Sequence, residues 1–210
     1  MERLKREKKQ KRKPGYVKKI TLLEAQGGSG GDPLPISRSQ LEIIYSGNRT
    51  ATHSAAFADN YADTFDDVLK GGRCAVFVGK PGTGKTHLAV GIGLRIMHRD
   101  SCSALFTTVL RAIRRIKDTW SRNSNETERQ AVAAMTFPDL LILDEVGVQI
   151  GSETEKLFLF DLLNERYEKR YPTIFISNLT VEEVKVYLGE CIADRLRENS
   201  GEFVTFDWEP

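Results

Sequence analysis

Five short apolar runs alternate along the chain with longer segments whose apolar residues recur every three or four positions. The short runs are typical of buried strands, and the periodic segments are typical of amphipathic helices. The predicted strands cover 75–78, 104–107, 140–143, 173–176 and 203–206. The predicted helices cover 50–70, 87–97, 109–122, 125–135, 153–169, 180–188 and 192–198. A chain of 210 residues with this pattern is long enough for one α/β domain and a short extension.

The first part of the chain differs in composition from the rest. Residues 1–19 carry ten Lys/Arg and two Glu, a net charge of +8, whereas the whole chain has a net charge of +2. A Gly- and Pro-rich stretch at 26–35 is typical of a flexible linker. We therefore predict a basic N-terminal arm and linker at 1–45 and a globular domain at 46–210. The arm can bind nucleic acid through its charge, dock on an acidic partner protein, or remain a solvated tail.

Composition narrows the class of protein and its compartment. Hydrophobic residues make up 40% and charged residues 29% of the chain, as in soluble globular proteins. No apolar run approaches the roughly 18 residues that a membrane helix needs, and the N-terminus lacks the apolar core of a signal peptide. Cys74, Cys102 and Cys191 lie far apart in sequence, which favours reduced thiols over a disulfide framework or a zinc site. These features predict a cytoplasmic protein with no membrane partner.

A glycine-rich loop follows the first predicted strand and precedes a predicted helix. Residues 79–86 fit the pattern G-x-x-x-x-G-K-[ST] at every fixed position. Glycines let such a loop curl so that backbone N–H groups point at phosphate oxygens, and the helix aims its positive end at the same phosphates. Lys85 places a cation on the β- and γ-phosphates, and the Thr86 hydroxyl can bind Mg²⁺. The residues predicted to bind the nucleotide here are Gly79, Lys80, Pro81, Gly82, Thr83, Gly84, Lys85, Thr86 and His87.

A second nucleotide motif lies about 60 residues further on. The apolar run at 140–143 is followed by Asp144 and Glu145, so a buried strand delivers both acids to its carboxyl end. Asp144 can hold Mg²⁺ at the phosphates, as the corresponding acid does in P-loop NTPases. Glu145 is placed to orient and deprotonate an attacking water. An acid at the end of a strand is common and by itself a weak signal. Its spacing from the glycine loop is specific, and together the two motifs predict an ATP- and Mg²⁺-dependent site.

Two further residues are candidates for catalysis. Asn178 follows the strand at 173–176 and can touch the γ-phosphate or the attacking water, or it can cap the next helix. Arg195 lies on a late helix and can reach a nucleotide bound to a neighbouring subunit, or it can be an exposed ion-pairing residue. Arg197 is the alternative arginine on the same helix.

The predicted helix at 109–122 combines an apolar stripe with several cations. A basic face that ends in an aromatic side chain can follow a phosphate backbone and stack a base. The candidate DNA contacts are Arg111, Arg114, Arg115 and Trp120. The alternative is an amphipathic helix with a solvated polar face and a tryptophan in the core.

The motifs taken together resemble the bacterial and phage DnaC-type helicase loaders, a group that also includes the IstB transposition ATPases. The likeness covers roughly 50–210. Its marks are the residues at 79–89, 117–120, 143–149, 172–173, 177–178, 188–190, 194–196 and 206–208. Their shared order and spacing are more specific than a glycine-rich loop alone. The chain is similar to a shortened phage or prophage version, because it ends soon after Trp208 and has a short N-terminal part.

The resemblance implies a P-loop AAA+ fold, with a five-stranded parallel sheet between layers of helices. It implies ATP hydrolysis at subunit interfaces of a spiral or ring-shaped homo-oligomer, with Arg195 as the arginine finger and Asn178 as the first sensor. Trp120 matches an aromatic position near single-stranded DNA in that family. Cys191 stands where the family often has a basic residue, which puts more weight on Arg195.

The expected function is that of an ATPase that loads a DnaB-type replicative helicase onto single-stranded DNA. Its hydrolysis is expected to be slow and to respond to DNA or to the partner. Two alternatives stay open at this point. One is an IstB-like transposition helper that acts on duplex DNA, and the other is a nucleotide-binding adaptor with little hydrolysis.

Overall fold

The computed structural model describes residues 49–100, 102–147, 153–198 and 201–208. The predicted basic arm, the linker and the domain boundary near residue 45 lie outside these ranges and stay predictions. The helices are α1 (Arg49–Asp63), α2 (Phe65–Gly71), α3 (Lys85–Asp100), α4 (Val109–Asp118), α5 (Glu128–Thr136), α6 (Glu153–Glu168), α7 (Val181–Leu188) and α8 (Glu190–Glu198). The strands are β1 (Ala75–Gly79), β2 (Ala104–Thr108), β3 (Leu140–Asp144), β4 (Thr173–Ser177) and β5 (Glu202–Phe206). Within the described residues, no helix is long and apolar enough to cross a membrane.

The strands form one parallel sheet in the order β2-β3-β4-β1-β5. This confirms the predicted five-stranded parallel sheet. In this order β1 lies between β4 and β5, and β3 lies between β2 and β4. All five strands point the same way, so the loops that leave their carboxyl ends meet at one edge of the sheet. Ligands of open α/β sheets bind at that edge.

Helices cover both faces of the sheet, as predicted. Successive side chains of a strand point to opposite faces, so β1 sends Ala75 and Phe77 to one core and Val76 and Val78 to the other. The first core is closed by α1, α2 and α3, and the second by α4, α5, α6, α7 and α8. Strands buried on both faces appear as continuous apolar runs, which is why the sequence pattern located them.

The ends of several helices differ from the predicted ends. Helix α4 stops at Asp118 rather than at 122, because the Thr119 hydroxyl donates to the carbonyl of Ile116 at 2.6 Å and the chain then winds into a tighter turn. Trp120 therefore follows the helix instead of lying on it. Helix α5 begins at Glu128 rather than at 125, because Thr127 caps it in a reciprocal pair with Gln130.

The predicted helical region 50–70 is two helices, α1 and α2. Thr64 separates them, and its hydroxyl donates to the carbonyl of Asn60 at 2.8 Å. Helix α2 is followed by Gly72, whose φ of +67° is the left-handed conformation that often terminates a helix.

Arg166 of α6 is a fully buried cation at the amino-terminal edge of the sheet. Its guanidinium donates to the carbonyls of Met135, Thr136, Pro138 and Pro172 and to the hydroxyl of Thr173. Burial lowers the pKa of Arg166 to about 10, still well above neutral pH, so the group remains charged. One side chain thus links the end of α5 to the residues that precede β3 and β4.

Candidate nucleotide-binding site

The glycine-rich loop joins β1 to α3 at the carboxyl edge of the sheet. Gly79 ends β1 beside Phe206 of β5, and a Cβ atom on Gly79 would lie 2.1 Å from the Phe206 carbonyl oxygen. Gly79, Gly82 and Gly84 have φ values of 141°, 81° and 89°, a region that other residues rarely adopt. The backbone can therefore follow this path only with glycine at these positions.

The ammonium of Lys85 lies inside the loop. Its Nζ donates to the carbonyl oxygens of Gly79 and Lys80, each at 2.6 Å, and only 5% of the residue is exposed. Burial lowers the pKa of Lys85, and the nearby carboxylate of Asp144 acts in the opposite direction. The lysine is held at the mouth of the loop, where it can meet a phosphate oxygen.

The loop and the acidic strand end meet through one hydrogen bond. Thr86 Oγ1 donates to Asp144 Oδ2 at 2.9 Å, although the two residues lie 58 positions apart. The other oxygen, Oδ1, accepts the backbone N–H of Glu145 at 2.7 Å. The Asp144 carboxylate is thereby fixed with one oxygen facing the threonine hydroxyl.

This pair is the part of the site that fits Mg²⁺. Among the residues that the structure describes, there is no group of three or more His, Cys, Asp or Glu that could hold a metal ion. Mg²⁺ in nucleotide sites needs less than that, because it keeps several waters and takes substrate phosphate oxygens as ligands. The hydroxyl of Thr86 and the carboxylate of Asp144 supply the oxygen ligands that such a site requires from the protein.

Glu145 and Asn178 follow adjacent strands, β3 and β4, at the same edge. Glu145 has a φ of 60° and its side chain is exposed. The turn after it is fixed to β4, since the Val146 N–H donates to the Ile176 carbonyl at 2.9 Å and the Ser177 hydroxyl donates to the Val146 carbonyl at 2.5 Å. Asn178 is exposed and does not cap α7, because Thr180 occupies that position.

Comparison with known proteins agrees with this geometry. The model of the family described as "IstB-like ATP binding protein" matches residues 68–200, which is more than half of the chain. The chain belongs to the IstB-like ATP-binding protein family. ATP binding is the property that the description of this family names.

Relatives of this IstB-like protein carry the name "Replicative helicase loader DnaC". The protein from Buchnera aphidicola subsp. Baizongia pistaciae is 37% identical over 134 residues, which are 64% of this chain and 54% of that protein. The one from Escherichia coli K12 is 36% identical over 152 residues, which are 72% of this chain and 60% of that protein. The predicted likeness to DnaC-type loaders is confirmed. The chain spans only slightly more than half the length of these two relatives.

A solved structure described as the DnaC helicase loader has the same fold. It aligns with a TM-score of 0.68 at 21% identity and covers 79% of this chain and 94% of that one. The predicted P-loop AAA+ fold is confirmed by this likeness together with the family match.

The structure does not bring Arg195 to the nucleotide loop of its own chain. The Arg195 side chain borders a small cavity together with Cys74 and Thr173, which lie where β1 and β4 begin. Five strand residues span about 16 Å, so the loop and this cavity lie at opposite edges of the sheet. The guanidinium donates to Asn164 and lies 4.7 Å from the ring centre of Tyr167.

Three of the four predicted DNA-contact residues lie on α4, with Arg111 in its first turn, and Trp120 lies in the turn after the helix. Arg114 is exposed, Arg111 is half-buried, and Arg115 forms a two-point ion pair with Glu126. Trp120 is 51% exposed, packs against the ring of Phe158 and donates its indole N–H to Glu128 at 2.8 Å. Trp120 is therefore not a core residue, and Arg115 has a protein partner of its own.

Sequence reasoning missed the buried role of Arg166 and the contacts of Asn164 and Tyr167 with Arg195. All three lie on α6, where polar and apolar residues follow each other without a clear stripe. Asn164 and Tyr167 are three positions apart, so they lie on one side of a helix. The spacing could have indicated that Asn164 and Tyr167 act together, but it does not show which residue of another helix packs against them.

Proposed function

We propose that this protein is an ATPase that loads a DnaB-type replicative helicase onto single-stranded DNA. The observation that carries the ATPase part is the hydrogen bond between Thr86 and Asp144, which joins the two nucleotide motifs into one site. The loading role is supported by relatives that bear the name of replicative helicase loaders.

In the proposed reaction each residue of the site has one task. Lys85 binds the β- and γ-phosphates. Thr86 and Asp144 would hold Mg²⁺, which when bound would stabilise the negative charge on the phosphate oxygens. Glu145 orients a water and accepts its proton. Asn178, which follows the neighbouring strand, holds that water or the γ-phosphate. The exposure of both side chains at the carboxyl edge supports these two roles.

Arg195 is proposed to act on the nucleotide of a neighbouring copy. Arg195 lies at the amino-terminal edge of the sheet, too far from the nucleotide loop of its own chain to contact a nucleotide there. This position supports a role at the site of another copy. The proposed active form is therefore a homo-oligomer, a spiral or a ring, whose subunit interfaces each contain one complete site. Bound ATP closes these interfaces, and hydrolysis releases them.

Single-stranded DNA is proposed to lie along α4 and the turn that follows it. Arg114 is exposed on this helix, and Trp120, in the turn after the helix, presents half of its surface to solvent. Arg111 and Arg115 complete the set, although Arg115 must exchange Glu126 for a phosphate. Basic side chains that follow the phosphate backbone and exposed aromatic rings that stack bases are the groups that bind single strands without sequence preference.

The first test measures ATP hydrolysis with and without single-stranded DNA. Wild type is compared with Glu145→Gln and with Glu202→Gln, an exposed glutamate at the opposite edge of the sheet as control. We expect hydrolysis that DNA alters, a loss of about 100-fold or more in Glu145→Gln with ATP binding kept, and no change in the control. Wild type that binds ATP but hydrolyses none, with DNA and with the helicase, would favour the adaptor alternative.

A second test distinguishes loading from transposition. Binding of a fluorescent single strand and of the matching duplex is measured at two salt concentrations, with Trp120→Ala as the variant. The loader predicts preference for the single strand, a loss in Trp120→Ala and capture of a DnaB-type helicase in a purified mixture. Preference for the duplex without helicase capture would favour the IstB-like transposition role.

A further inference from the structure

The side chain of Arg195 is held by two residues of α6. Its guanidinium donates one N–H to the Asn164 side-chain oxygen and stacks on the Tyr167 ring, with 4.7 Å between Cζ and the ring centre. The Tyr167 hydroxyl in turn donates to Glu198 at 2.5 Å, one turn further along α8. Tyr167 is thus fixed at its hydroxyl end while its face supports the arginine.

We propose that Asn164 and Tyr167 are positioning residues that hold Arg195 ready for the nucleotide of a neighbouring copy. This rests on the proposed function, in which Arg195 acts across a subunit interface. Neither residue touches the nucleotide in this proposal. They act through the arginine, by limiting the orientations that its side chain adopts.

The number of donors supports this role. A guanidinium has five N–H donors, and the contact with Asn164 uses one side of the group. The remaining donors can reach a phosphate while the stack with Tyr167 persists. An arginine that is already ordered loses less side-chain entropy when it meets its target, and a fixed orientation is what catalysis by a charged group requires.

The contacts of Arg195 are not what holds α6 and α8 together. The two helices meet in the core through Leu163, Ile192 and Leu196, which are each at least nine-tenths buried. Asn164 and Tyr167 lie beside this contact and are half-exposed. Their truncation should leave the helix pair intact, so a kinetic effect can be separated from a folding effect.

The experiment measures kcat and KM for ATP in the full-length protein under the conditions that give maximal hydrolysis. The variants are Asn164→Ala, Tyr167→Leu, Tyr167→Phe, Arg195→Ala, and the two double variants that combine Arg195→Ala with Asn164→Ala or Tyr167→Leu. Asp161→Ala, an exposed residue on the same helix, is the control. Thermal unfolding of every variant is recorded in parallel.

We expect kcat to fall about 10-fold in Asn164→Ala and in Tyr167→Leu, with KM for ATP unchanged. Tyr167→Phe keeps the ring and should retain at least half of the wild-type kcat. Arg195→Ala should lose more than either variant, and neither double variant should fall below Arg195→Ala alone. Such non-additivity is expected only if both residues act through the arginine.

Three results would overturn the proposal, and they differ in what they leave standing. If Arg195→Ala hydrolyses ATP like wild type, the assignment of the arginine in the proposed function fails and the positioning role fails with it. If Arg195→Ala is inactive while Asn164→Ala and Tyr167→Leu match wild type, only the positioning role fails. If the losses multiply in the double variants, the two residues act independently of Arg195.

Discussion

At Gly79 the chain passes so close to β5 that no side chain fits. The φ of 141° and the calculated 2.1 Å approach of a Cβ atom to the Phe206 carbonyl both oppose substitution. We expect Gly79→Ala to lower the free energy of unfolding by about 2–4 kcal/mol and to abolish nucleotide binding, because β1 and the loop must shift. Chemical denaturation and titration with a fluorescent ATP analogue measure the two effects.

Gly91 provides the matched control for this substitution. It lies inside α3, and a Cβ atom there meets nothing within 4 Å. Gly91→Ala should raise the free energy of unfolding by about 0.5–1 kcal/mol, because alanine favours the helix. Equal effects of the two substitutions would contradict the close approach at Gly79.

The buried guanidinium of Arg166 stabilises the amino-terminal edge of the sheet through its hydrogen bonds. Replacement by methionine removes the Arg166 donor from the carbonyls of Met135, Thr136, Pro138 and Pro172, of which Pro172 keeps the Leu141 N–H at 3.3 Å. We expect Arg166→Met to lower the free energy of unfolding by at least about 3 kcal/mol. Arg129→Met on the exposed side of α5 should change it by less than about 0.5 kcal/mol in the same denaturation experiment.

The lowered pKa of Lys85 predicts a pH dependence of nucleotide binding. The free folded protein loses the Lys85 proton at a lower pH than an ordinary lysine with its pKa of 10.5. Phosphate favours the charged form, so affinity for ATP should fall as pH rises through the lowered pKa, and binding should take up protons there. The free energy of unfolding changes in the opposite direction. Between the lowered pKa and the ordinary one the unfolded chain binds more protons than the folded protein, so the contribution of Lys85 to stability rises with pH.

Calorimetric titration with ATP at neutral and alkaline pH, in buffers of different ionisation enthalpy, measures this proton uptake. Lys85→Arg is the control, because arginine stays charged across the whole range and should show no uptake. A wild type without proton uptake at alkaline pH would contradict the effect of burial on Lys85.

Among the elements, the strands were predicted better than the helix ends. Each predicted strand differs from the observed one by a single residue, because a run buried on both faces is apolar along its whole length. The helix ends depend instead on single hydroxyl groups, such as those of Thr119 and Thr127, which bond the backbone. Hydrophobic periodicity contains no information about these bonds.

Helix α7 allows one such bond to be tested. Thr180 caps the helix, and the pKa of Glu183 is lowered first by the Thr180 backbone N–H and then by the Thr180 hydroxyl. Thr180→Ala should lower Tm by about 2–4 °C and move the Glu183 pKa toward its ordinary value without restoring it fully. The sign follows from the depressed pKa, since the stabilisation by Glu183 is lost as pH falls. NMR titration of Glu183 measures the shift, and Thr205→Ala, at an exposed position, is the control.

At the scale of the whole molecule, the nucleotide loop and Arg195 belong to opposite edges of one sheet. The motifs predicted which residues meet at the carboxyl edge, because the loops of a parallel sheet must gather there. The place of Arg195 could not be predicted in the same way. It depends on how α8 packs on α6, and the sequence of α6 has no clear apolar stripe that would indicate its buried side.

If Arg195 acts on the site of a neighbouring copy, as proposed, mixing two inactive variants should restore ATPase activity. Lys85→Ala lacks the nucleotide site but keeps Arg195, and Arg195→Ala lacks the arginine but keeps the site. In an equimolar mixture about a quarter of the interfaces should combine one intact part from each copy, so ATPase activity should reappear. Lys85→Ala mixed with Glu145→Gln has no intact nucleotide site and should stay inactive.

A nucleotide loop at one edge and an arginine at the other would also give the proposed row of copies a direction. In the proposed ring or spiral, each copy would offer its loop to one neighbour and its arginine to the other, so each contact would join unlike surfaces. In such a row that does not close, the first copy would have a loop that no arginine reaches, and the last would have an arginine with no nucleotide to contact. Growth, ATP turnover and disassembly of such a row would then be unequal at its two ends.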